Sequence, residues 1–227
     1  MRTLLTKLAL IIVVVSYLLG SIPFGYLLVR VFRGQDVRKT GSGNIGATNV
    51  ARTGSKGLAI ATLLLDALKG YAAVAFAFWL AGLRRFQGNV PTSLYDHSEQ
   101  MIDSQTIVLL AALAALFAIL GHMFTVWLHF NGGKGVATAA GAFLALAPQC
   151  MLLSMLVFAI VFLLTRYVSL GSILAAVSFP LFVLWLAPAE RRTASMVLLI
   201  VASCLLVIVR HKDNIRRLLA GTENRFR

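Results

Sequence analysis

Long apolar runs dominate this chain, and they do not alternate with polar residues. A helix needs about 20 apolar residues to cross the hydrocarbon core of a bilayer. Clear runs of this kind occur at residues 8–32, 57–82, 106–128, 168–187 and 193–209. An uninterrupted run of this length is typical of a helix surrounded by lipid and not of a soluble domain. The pattern therefore predicts an all-α integral membrane protein.

Segment 136–165 is also apolar, but its 30 residues are long for a single span. Pro148 lies near its middle. Proline removes a backbone donor and kinks or breaks a helix. The segment is therefore either one kinked helix or two short ones.

The distribution of positive charge decides between these alternatives. Basic residues cluster in loop 30–56 and in the C-terminal tail, whereas the N-terminal stub holds only Arg2 and Lys7. Because cytoplasmic loops carry the excess of Lys and Arg, both clusters are expected in the cytoplasm and the N-terminus outside. This requires an odd number of crossings, which a break at Pro148 supplies. We predict a seven-helix transmembrane bundle with short fourth and fifth helices, N-terminus outside, C-terminus cytoplasmic, and an external loop at 83–105.

The composition supports one membrane-embedded domain, taken as residues 1–227. Of these residues, 59% are hydrophobic and 13% are charged, whereas soluble domains carry about 25% charged residues. No small-residue cleavage site follows the run at 8–32, so we expect a retained helix and not a signal peptide. Cys150 and Cys204 both lie in apolar runs, which indicates packed thiols and no metal site. The net charge of +13 can reflect the positive-inside bias of membrane topology, attraction to anionic lipid or binding of an anionic substrate.

The first of three notable polar segments is the glycine-rich stretch 41–52. It contains G-x-G-x-x-G, but a dinucleotide site requires a preceding strand, and the flanks here are membrane helices. Clustered glycines still allow several backbone N–H groups to point at one anion, and an arginine adds a planar fork suited to phosphate. The alternative is a simple interhelical turn. The candidate ligands are Gly41, Ser42, Gly43, Asn44, Gly46, Thr48, Asn49 and Arg52.

The second polar segment, at residues 131–135, directly precedes an apolar helix. It is not a P-loop, because the residue after Lys134 is glycine rather than serine or threonine. The N-terminus of a helix offers free N–H groups and the positive end of the helix dipole, so glycines and a lysine there predict an anion site. The alternative is a tight turn in which Lys134 contributes only to the positive-inside bias. The candidate ligands are Gly132, Gly133, Lys134 and Gly135.

The third polar segment begins at His211, directly after the last span. If a helix continues from that span, His211, Asn214 and Leu218 share one face because they are spaced i, i+3, i+7. Histidine is the usual general base near neutral pH. The alternative is a basic anchor for anionic lipid. The face with His211 and Asn214 favours a functional role.

A few further polar residues lie inside the spans or beside them. Asp66 and Lys69 are three residues apart within the second span, where ionisable residues usually pair, so we expect a structural ion pair. Ser172, in the turn that precedes the sixth span, is placed to reach the same pocket as the three segments. His122 and His129 flank the end of the third span and are expected to be packed or interfacial.

Taken in order, the three polar segments resemble the bacterial acyl-phosphate glycerol-3-phosphate acyltransferases, the PlsY family. The motifs are Gly-Ser-Gly-Asn-x-Gly-x-Thr-Asn-x-x-Arg at 41–52, Gly-Gly-Lys-Gly-Val-Ala-Thr at 132–138 and His-x-x-Asn-Ile-x-Arg-Leu-x-x-Gly-x-Glu at 211–223. The stretches at 20–23, 66–70 and 169–172 add to the likeness. It covers nearly the whole chain, although loop 83–105 is longer than expected for the family.

The resemblance implies transfer of a fatty acyl group from acyl phosphate to the sn-1 hydroxyl of glycerol 3-phosphate. The products would be lysophosphatidic acid and inorganic phosphate, in the first acylation of bacterial phospholipid synthesis. It further implies a bacterial cytoplasmic (inner) membrane protein with its active site at the cytoplasmic face. No covalent acyl-enzyme, cofactor, metal, nucleic acid or obligate protein partner is expected, so the partners are the two substrates and membrane lipids.

Both substrates carry phosphate, which fits two glycine-rich anion loops. The first loop is expected to hold the acyl phosphate through Ser42, Asn44 and backbone N–H groups. The residues expected to hold glycerol 3-phosphate are Lys134, Arg52, His211 and Asn214. Which loop takes which phosphate stays open at this point.

The catalytic residues implied by the resemblance are His211, Asn214, Ser42 and Arg52. His211 is either the base for the attacking hydroxyl, or it orients the substrate while an oxygen of the acyl phosphate takes the proton. Ser172 and Glu223 complete the substrate site, and Glu223 is expected to act structurally by pairing with a nearby arginine.

Three other classes of protein fit the sequence less well. A transporter for organic phosphate predicts a polar pathway through several helices, whereas only Asp66 and Lys69 lie deep. A scaffold that binds anionic lipid explains the charge but not the clustered Gly, Ser and Asn. A lipid enzyme that requires Mg²⁺ and a nucleotide needs acidic residues near the loops, where only Asp36 and Asp213 are available.

Overall fold

The structure is a computed structural model that describes residues 2–86, 102–189 and 192–226. Within these ranges the chain forms α-helices and short 3₁₀ turns, and no strand, which confirms the predicted all-α class. The ten α-helices of the described residues are α1 (Arg2–Ser21), α2 (Phe24–Arg33), α3 (Ala47–Ala51), α4 (Lys56–Phe86), α5 (Ser104–Met123), α6 (Val136–Leu146), α7 (Pro148–Thr165), α8 (Val168–Leu186), α9 (Ala194–Val209) and α10 (Lys212–Leu219).

Several of these helices are long and apolar enough to cross a bilayer. Five such stretches are Thr3–Arg33, Lys56–Gly82, Ser104–Leu128, Pro148–Thr165 and Val168–Leu186. A sixth is counted if α9 and α10, which meet at a bend of 57°, form one span. The protein is therefore an integral multi-pass membrane protein. The predicted number of seven crossings and the orientation of the termini stay predictions, and residues 87–101 of the predicted external loop lie outside the described ranges.

The predicted break near Pro148 is present. Helix α6 ends at Leu146 and α7 begins at Pro148, where the first position of a helix tolerates proline because its N–H would have no intrahelical acceptor. At 1.5 Å per residue, α6 is only about 16 Å long, roughly half of the bilayer core. Helix α7 has 18 residues and α8 has 19, so the prediction of a short fifth helix is wrong. The apolar run continues unbroken to Thr165, and only the left-handed backbone of Arg166 ends the helix.

Close helix packing fixes the position of α6 beside α4. A Cβ added to Gly141 would overlap the carbonyl oxygen of Ala67, and one added to Gly70 would overlap the carbonyl oxygen of Thr138. Lipid tails are as apolar as leucine, so helices in a membrane associate through close van der Waals contact at small residues. This contact sets the height of the N-terminus of α6, and with it the preceding glycine-rich segment.

A second, smaller hydrophobic cluster supports the first polar segment. It joins Val29 of α2, Val37 and Ile45 of the connecting loop, Val50 of α3 and Leu128 of the segment after α5. All of these side chains are nearly or fully buried. The loop between α2 and α4 is therefore a packed structure at one end of the bundle. The other two polar segments lie at the same end.

Candidate active site

The first polar loop is organised by one buried side chain, Asn49 in α3. Its amide nitrogen donates to the carbonyl oxygens of Val37 (2.9 Å), Thr40 (3.1 Å) and Asn44 (2.8 Å), and its amide oxygen accepts from the backbone N–H of Ser42 (2.9 Å). Asn49 is 2% exposed. Every polar atom of its amide is already used inside the protein, so Asn49 shapes the loop.

The glycines of this loop serve the same geometry. Gly41 and Gly43 have φ of +52° and +69°, a region that glycine adopts without strain. A Cβ on Gly41 would also overlap the side-chain oxygen of Asn49. The side-chain oxygen of Asn44 accepts a hydrogen bond from the backbone N–H of Gly46 at 2.8 Å. The amide nitrogen of Asn44 does not take part in this contact. The loop thus presents Ser42 and Asn44 on a rigid backbone.

The second polar segment is tied to the end of α5. The backbone N–H of Gly132 donates to the carbonyl of Met123 (3.1 Å), and that of Gly133 donates to the carbonyl of His122 (3.0 Å). These two N–H groups are therefore unavailable to an anion. The free N–H groups of this region are those at the N-terminus of α6, directly after Lys134 and Gly135. The helix end and Lys134 remain as the anion-binding part of the segment.

The third polar segment places His211 at the junction of α9 and α10. The ring is 2% exposed, and its Nδ1 lies 2.7 Å from the carbonyl oxygen of Val207. A carbonyl oxygen only accepts, so Nδ1 carries the proton and the neutral ring keeps its lone pair at Nε2. Burial lowers the pKa of His211 to about 4. The residue is neutral at pH 7 and offers one acceptor.

A chain of hydrogen bonds joins the second and third segments. Lys134 Nζ donates to Asn214 Oδ1 (2.5 Å), and Asn214 Nδ2 donates to Glu223 Oε1 (2.6 Å). Glu223 also accepts from Ser169 (2.8 Å) and from Arg217 (2.7 Å). Asn214 therefore orients Lys134, and Glu223 holds Asn214. The expected pairing of Glu223 with an arginine is present.

Burial and these contacts determine the charge states of Lys134 and Glu223. Burial lowers the pKa of Lys134 to about 8. Burial also raises the pKa of Glu223, but hydrogen bonds from Asn214, Arg217 and Ser169 outweigh that effect and leave the pKa below its ordinary value. Glu223 is therefore ionised at pH 7, whereas Lys134 loses its proton more readily than an ordinary lysine.

The three segments meet around one cavity of about 920 Å³. Most of the residues singled out in the sequence line it. They are Gly41, Ser42, Asn44, Gly46, Thr48, Asn49, Arg52, Lys134, Gly135, Ser172, His211, Asn214 and Glu223. Ser172 donates its hydroxyl to the carbonyl of Val168 at 2.8 Å and faces the cavity as an acceptor.

The other three predicted residues lie beside this cavity. Gly43 and Gly132 line a shallower depression of about 510 Å³, which shares Ser42 and Asn44 with the main cavity. Gly133 is buried, and a Cβ there would overlap Nε2 of His122. Gly132 and Gly133 thus allow this segment to pack closely against His122 at the end of α5.

Several cavity residues were not singled out as ligands in the sequence. Lys56 and Arg217 add positive charge, and Asn224, Arg225 and Phe226 come from the tail after α10. The tail is held over the α7–α8 turn, where the N–H of Phe226 donates to the carbonyl of Arg166 at 2.9 Å. Lys56 was visible only as part of the topology signal, whereas Arg217 was also a position of the third motif. The position of the tail over the cavity could not be predicted from the sequence, because it depends on the fold.

The cavity has two chemically different parts. Its polar part carries five cationic residues, Arg52, Lys56, Lys134, Arg217 and Arg225, against the carboxylates of Asp66 and Glu223. Its apolar part is formed by side chains of α4, α6, α7 and α8. These side chains are Ala59, Ile60, Leu63, Val136, Ala137, Phe158 and Val168. The site is therefore suited to an amphiphilic ligand with an anionic head, within a membrane protein.

Comparison with known proteins identifies the family. The glycerol-3-phosphate acyltransferase family matches residues 10–221. The chain is 45% identical over 212 residues to the glycerol-3-phosphate acyltransferase of Agrobacterium fabrum, covering 93% of this chain and 89% of the relative. It is 45% identical over 218 residues to that of Geobacter sulfurreducens, covering 96% and 97%.

Solved structures agree with this result. The fold is similar to the crystal structure of PlsY, an integral membrane glycerol 3-phosphate acyltransferase, in its glycerol 3-phosphate form, with a TM-score of 0.79 and 37% identity over 96% of each chain. The lysophosphatidic acid form of PlsY gives a TM-score of 0.77 with 36% identity, over 96% of this chain and 95% of PlsY. The chain belongs to the glycerol-3-phosphate acyltransferase family, and the predicted resemblance is confirmed.

Proposed function

We propose that the protein transfers a fatty acyl group from acyl phosphate to the sn-1 hydroxyl of glycerol 3-phosphate, releasing lysophosphatidic acid and inorganic phosphate. The observation that carries this proposal is the two-part cavity, in which Lys134 and the His211 Nε2 position lie at the cationic end of an apolar pocket. Acceptor and donor both carry a phosphate, and the donor also carries an acyl chain. The cavity offers a matching environment for each of these groups.

The two phosphates are assigned to the two loops. Glycerol 3-phosphate binds at Lys134, Arg52 and the N-terminus of α6, where a cation, a planar guanidinium and free N–H groups favour an anion. The acyl phosphate binds beside Ser42 and Asn44 of the first loop. Asn214 acts through Lys134, which it holds by a hydrogen bond.

The reaction is a direct displacement. The sn-1 hydroxyl oxygen forms a bond to the acyl carbonyl carbon, the bond from that carbon to the phosphate oxygen breaks, and the phosphate leaves with the electron pair. His211 Nε2 accepts a hydrogen bond from the attacking hydroxyl and orients it. The proton goes to a phosphate oxygen, since a phosphate with a second pKa of about 6 is a stronger base than a histidine with a pKa of about 4.

We expect no covalent acyl-enzyme, and the surroundings of the cysteines and of two cavity serines support this. Cys150 and Cys204 are buried in α7 and α9, and neither lines the cavity. Ser169 and Ser172 donate their hydroxyl protons to Glu223 and to the carbonyl of Val168, so neither is paired with His211. Acyl phosphates are activated donors, so direct attack by the acceptor suffices.

The proposed location is the bacterial inner membrane, with the cavity at the cytoplasmic face. The loop before α4 and the tail after α9 carry most of the basic residues, and both lie at the cavity end of the bundle. The positive-inside bias therefore favours a cytoplasmic site. Glycerol 3-phosphate, a soluble anion, then reaches the cavity from the cytoplasm, and the acyl donor reaches it from the lipid.

The test uses purified protein in detergent with palmitoyl phosphate and glycerol 3-phosphate. Phosphate release is followed, with lysophosphatidic acid required as co-product, beside reactions with palmitoyl-CoA as donor and with the His211→Ala variant. The expected result is release that depends on glycerol 3-phosphate, is absent with the CoA donor and is much slower in the variant. Product formation from palmitoyl-CoA alone would overturn the proposed donor, and no product from either donor in folded protein would overturn the reaction.

A further inference from the structure

His122 is a buried histidine outside the three polar segments, in the last turn of α5. It is 3% exposed and lines the floor of the cavity together with Asp66. Its carbonyl accepts the backbone N–H of Gly133 at 3.0 Å, and its ring occupies the space that a Cβ on Gly133 would need. The ring therefore supports the peptide that directly precedes Lys134.

The ring is held from the other side by a buried ion pair. His122 Nδ1 lies 3.6 Å from Asp66 Oδ1, and Asp66 Oδ1 lies 2.7 Å from Lys69 Nζ. Lys69 also donates to the carbonyl of Ile22 at 2.7 Å, at the break between α1 and α2. The predicted Asp66–Lys69 pair is thus present, and it connects α4 to α5 and to that break. All three side chains are at least 95% buried, so the ring is packed between the ion pair and the glycine segment.

Arg210 holds the opposite face of the same segment. Its Nε donates to the carbonyl of Gly133 and its Nη2 to the carbonyl of Gly132, both at 3.2 Å. The two glycine peptides are therefore held by the guanidinium of Arg210 as well as by contacts with His122. Lys134 follows without an intervening residue, so a shift of these peptides displaces its ammonium group.

We propose that His122 is a positioning residue for glycerol 3-phosphate, which acts by holding the Gly132–Gly133 peptides so that Lys134 and the N-terminus of α6 meet the phosphate. The proposal rests on the proposed function, because it assigns this anion site to glycerol 3-phosphate. His122 does not touch the reacting atoms. Loss of the His122 side chain is therefore expected to weaken binding of the acceptor, glycerol 3-phosphate, and not binding of the acyl donor.

The geometry predicts a specific pattern in a double-mutant cycle. His122→Ala removes the support beneath Gly133, and Gly133→Ala introduces a methyl group that overlaps the His122 ring. Each single variant is expected to raise KM for glycerol 3-phosphate by about ten- to a hundredfold, because small misplacements of a binding group have effects of that size. In the double variant the methyl group enters the space left by the ring. Its KM is therefore expected to stay within about twofold of the better single variant, a non-additive result for residues in contact.

Binding is measured separately from turnover, as the rise in Tm of purified protein with added glycerol 3-phosphate. His129→Asn is the matched control, because His129 lies seven positions further along the same segment, is exposed and does not line the cavity. It is expected to leave both KM values and the Tm shift unchanged. KM for the acyl phosphate is expected to change less than about twofold in His122→Ala.

Two results would overturn the proposal. One is multiplicative loss in the double variant, and the other is an equal rise of both KM values in His122→Ala, as a general loss of structure produces. If the wild-type protein binds glycerol 3-phosphate in the Tm assay but does not turn over acyl phosphate, the proposed reaction fails while the role of His122 in binding remains tested by the Tm shift. Loss of that shift in His122→Ala but not in His129→Asn is the expected result.

Discussion

At the scale of single residues, the charge on Lys134 depends on its surroundings. Asn214 holds the ammonium group by a hydrogen bond, and the charges of Glu223, Arg217 and Arg52 also act on it. Burial is the largest influence, and it lowers the pKa to about 8. The proposed phosphate ligand needs the protonated form. Binding of glycerol 3-phosphate to the free protein should therefore weaken as the pH rises through this value.

This dependence gives the first prediction. Because kcat/KM reports ionisations of the free enzyme, its value for glycerol 3-phosphate should fall by about tenfold per pH unit above about pH 8. Lys134→Arg should remove the alkaline fall, although its absolute kcat/KM is lower, since arginine stays charged at every accessible pH. Lys56 is an exposed residue of the same cavity, and the control variant Lys56→Arg should still show the alkaline decrease in kcat/KM. An alkaline fall that persists in Lys134→Arg would contradict the assignment.

His211 gives the second prediction. The ring is buried and neutral with a pKa of about 4, so protonation near pH 6.5, where an ordinary histidine titrates, is not expected. His211→Gln keeps an acceptor near the Nε2 position, whereas His211→Ala does not. If the ring only orients the hydroxyl, His211→Gln should retain at least about ten times the kcat of His211→Ala.

The pH profile tests the neutral state of His211, which the orienting role requires. The ratio of wild-type to His211→Gln activity cancels the titration of the substrates and of Lys134, which both proteins share. This ratio should stay constant between about pH 5 and pH 7. If the ratio falls as the pH is lowered, with a midpoint near pH 6.5, then His211 titrates as an ordinary histidine and its protonation stops the reaction. That result would contradict the proposed role.

The same residue scale shows what the sequence could and could not reveal. The structure brings most of the motif residues together around one cavity, and their grouping could be predicted because glycines, amides and cations in loops have few other uses in a membrane protein. Their individual tasks were less accessible. Gly132 and Gly133 were predicted to be phosphate ligands, but their N–H groups donate to α5. His122 was expected to be packed or interfacial, and only the fold shows that its ring lies against Gly133.

At the scale of elements, the loop between α2 and α4 works as one unit. It has no long helix of its own, and its shape depends on the Asn49 amide and on the small cluster around Val50. The sequence predicted an anion-binding loop here but not its internal order, since three carbonyl groups converge on Asn49 only after α3 has packed. A loop held by one side chain is sensitive to a single substitution.

The third prediction tests this dependence. Asn49→Asp replaces two N–H donors with a carboxylate that faces three carbonyl oxygens, which leaves buried groups unpaired at a cost of about 1–3 kcal/mol each. Tm should fall, and KM for the acyl phosphate should rise about tenfold or more because Ser42 loses its position. Asn131→Asp, an exposed residue that donates to the carbonyl of His129, is the control and should change neither. Unchanged KM and Tm in Asn49→Asp would contradict the role of Asn49.

At the scale of the whole molecule, the bundle separates apolar and cationic regions along its axis. The apolar helices were predictable from run length alone, and the break at Pro148 from proline chemistry. The depth of each helix was less predictable, because α6 is held against α4 by glycine contacts that require both helices in place. Whether the short α6 completes a crossing together with its neighbours determines on which side the C-terminal tail lies, and this gives the last prediction.

Single cysteines report the side on which each loop lies, in a protein whose native Cys150 and Cys204 are replaced by alanine. Gln35→Cys and Lys212→Cys should react with a membrane-impermeant maleimide in inverted vesicles and not in intact cells, whereas Ala189→Cys should react in intact cells. All three positions are exposed. With Gln35 inside, labelling of Lys212→Cys from outside would mean an even number of crossings, and α6 would then lie within the membrane without completing a span. Because His211 adjoins Lys212, that result would also separate the third segment from the first two, in conflict with the hydrogen bond from Lys134 to Asn214.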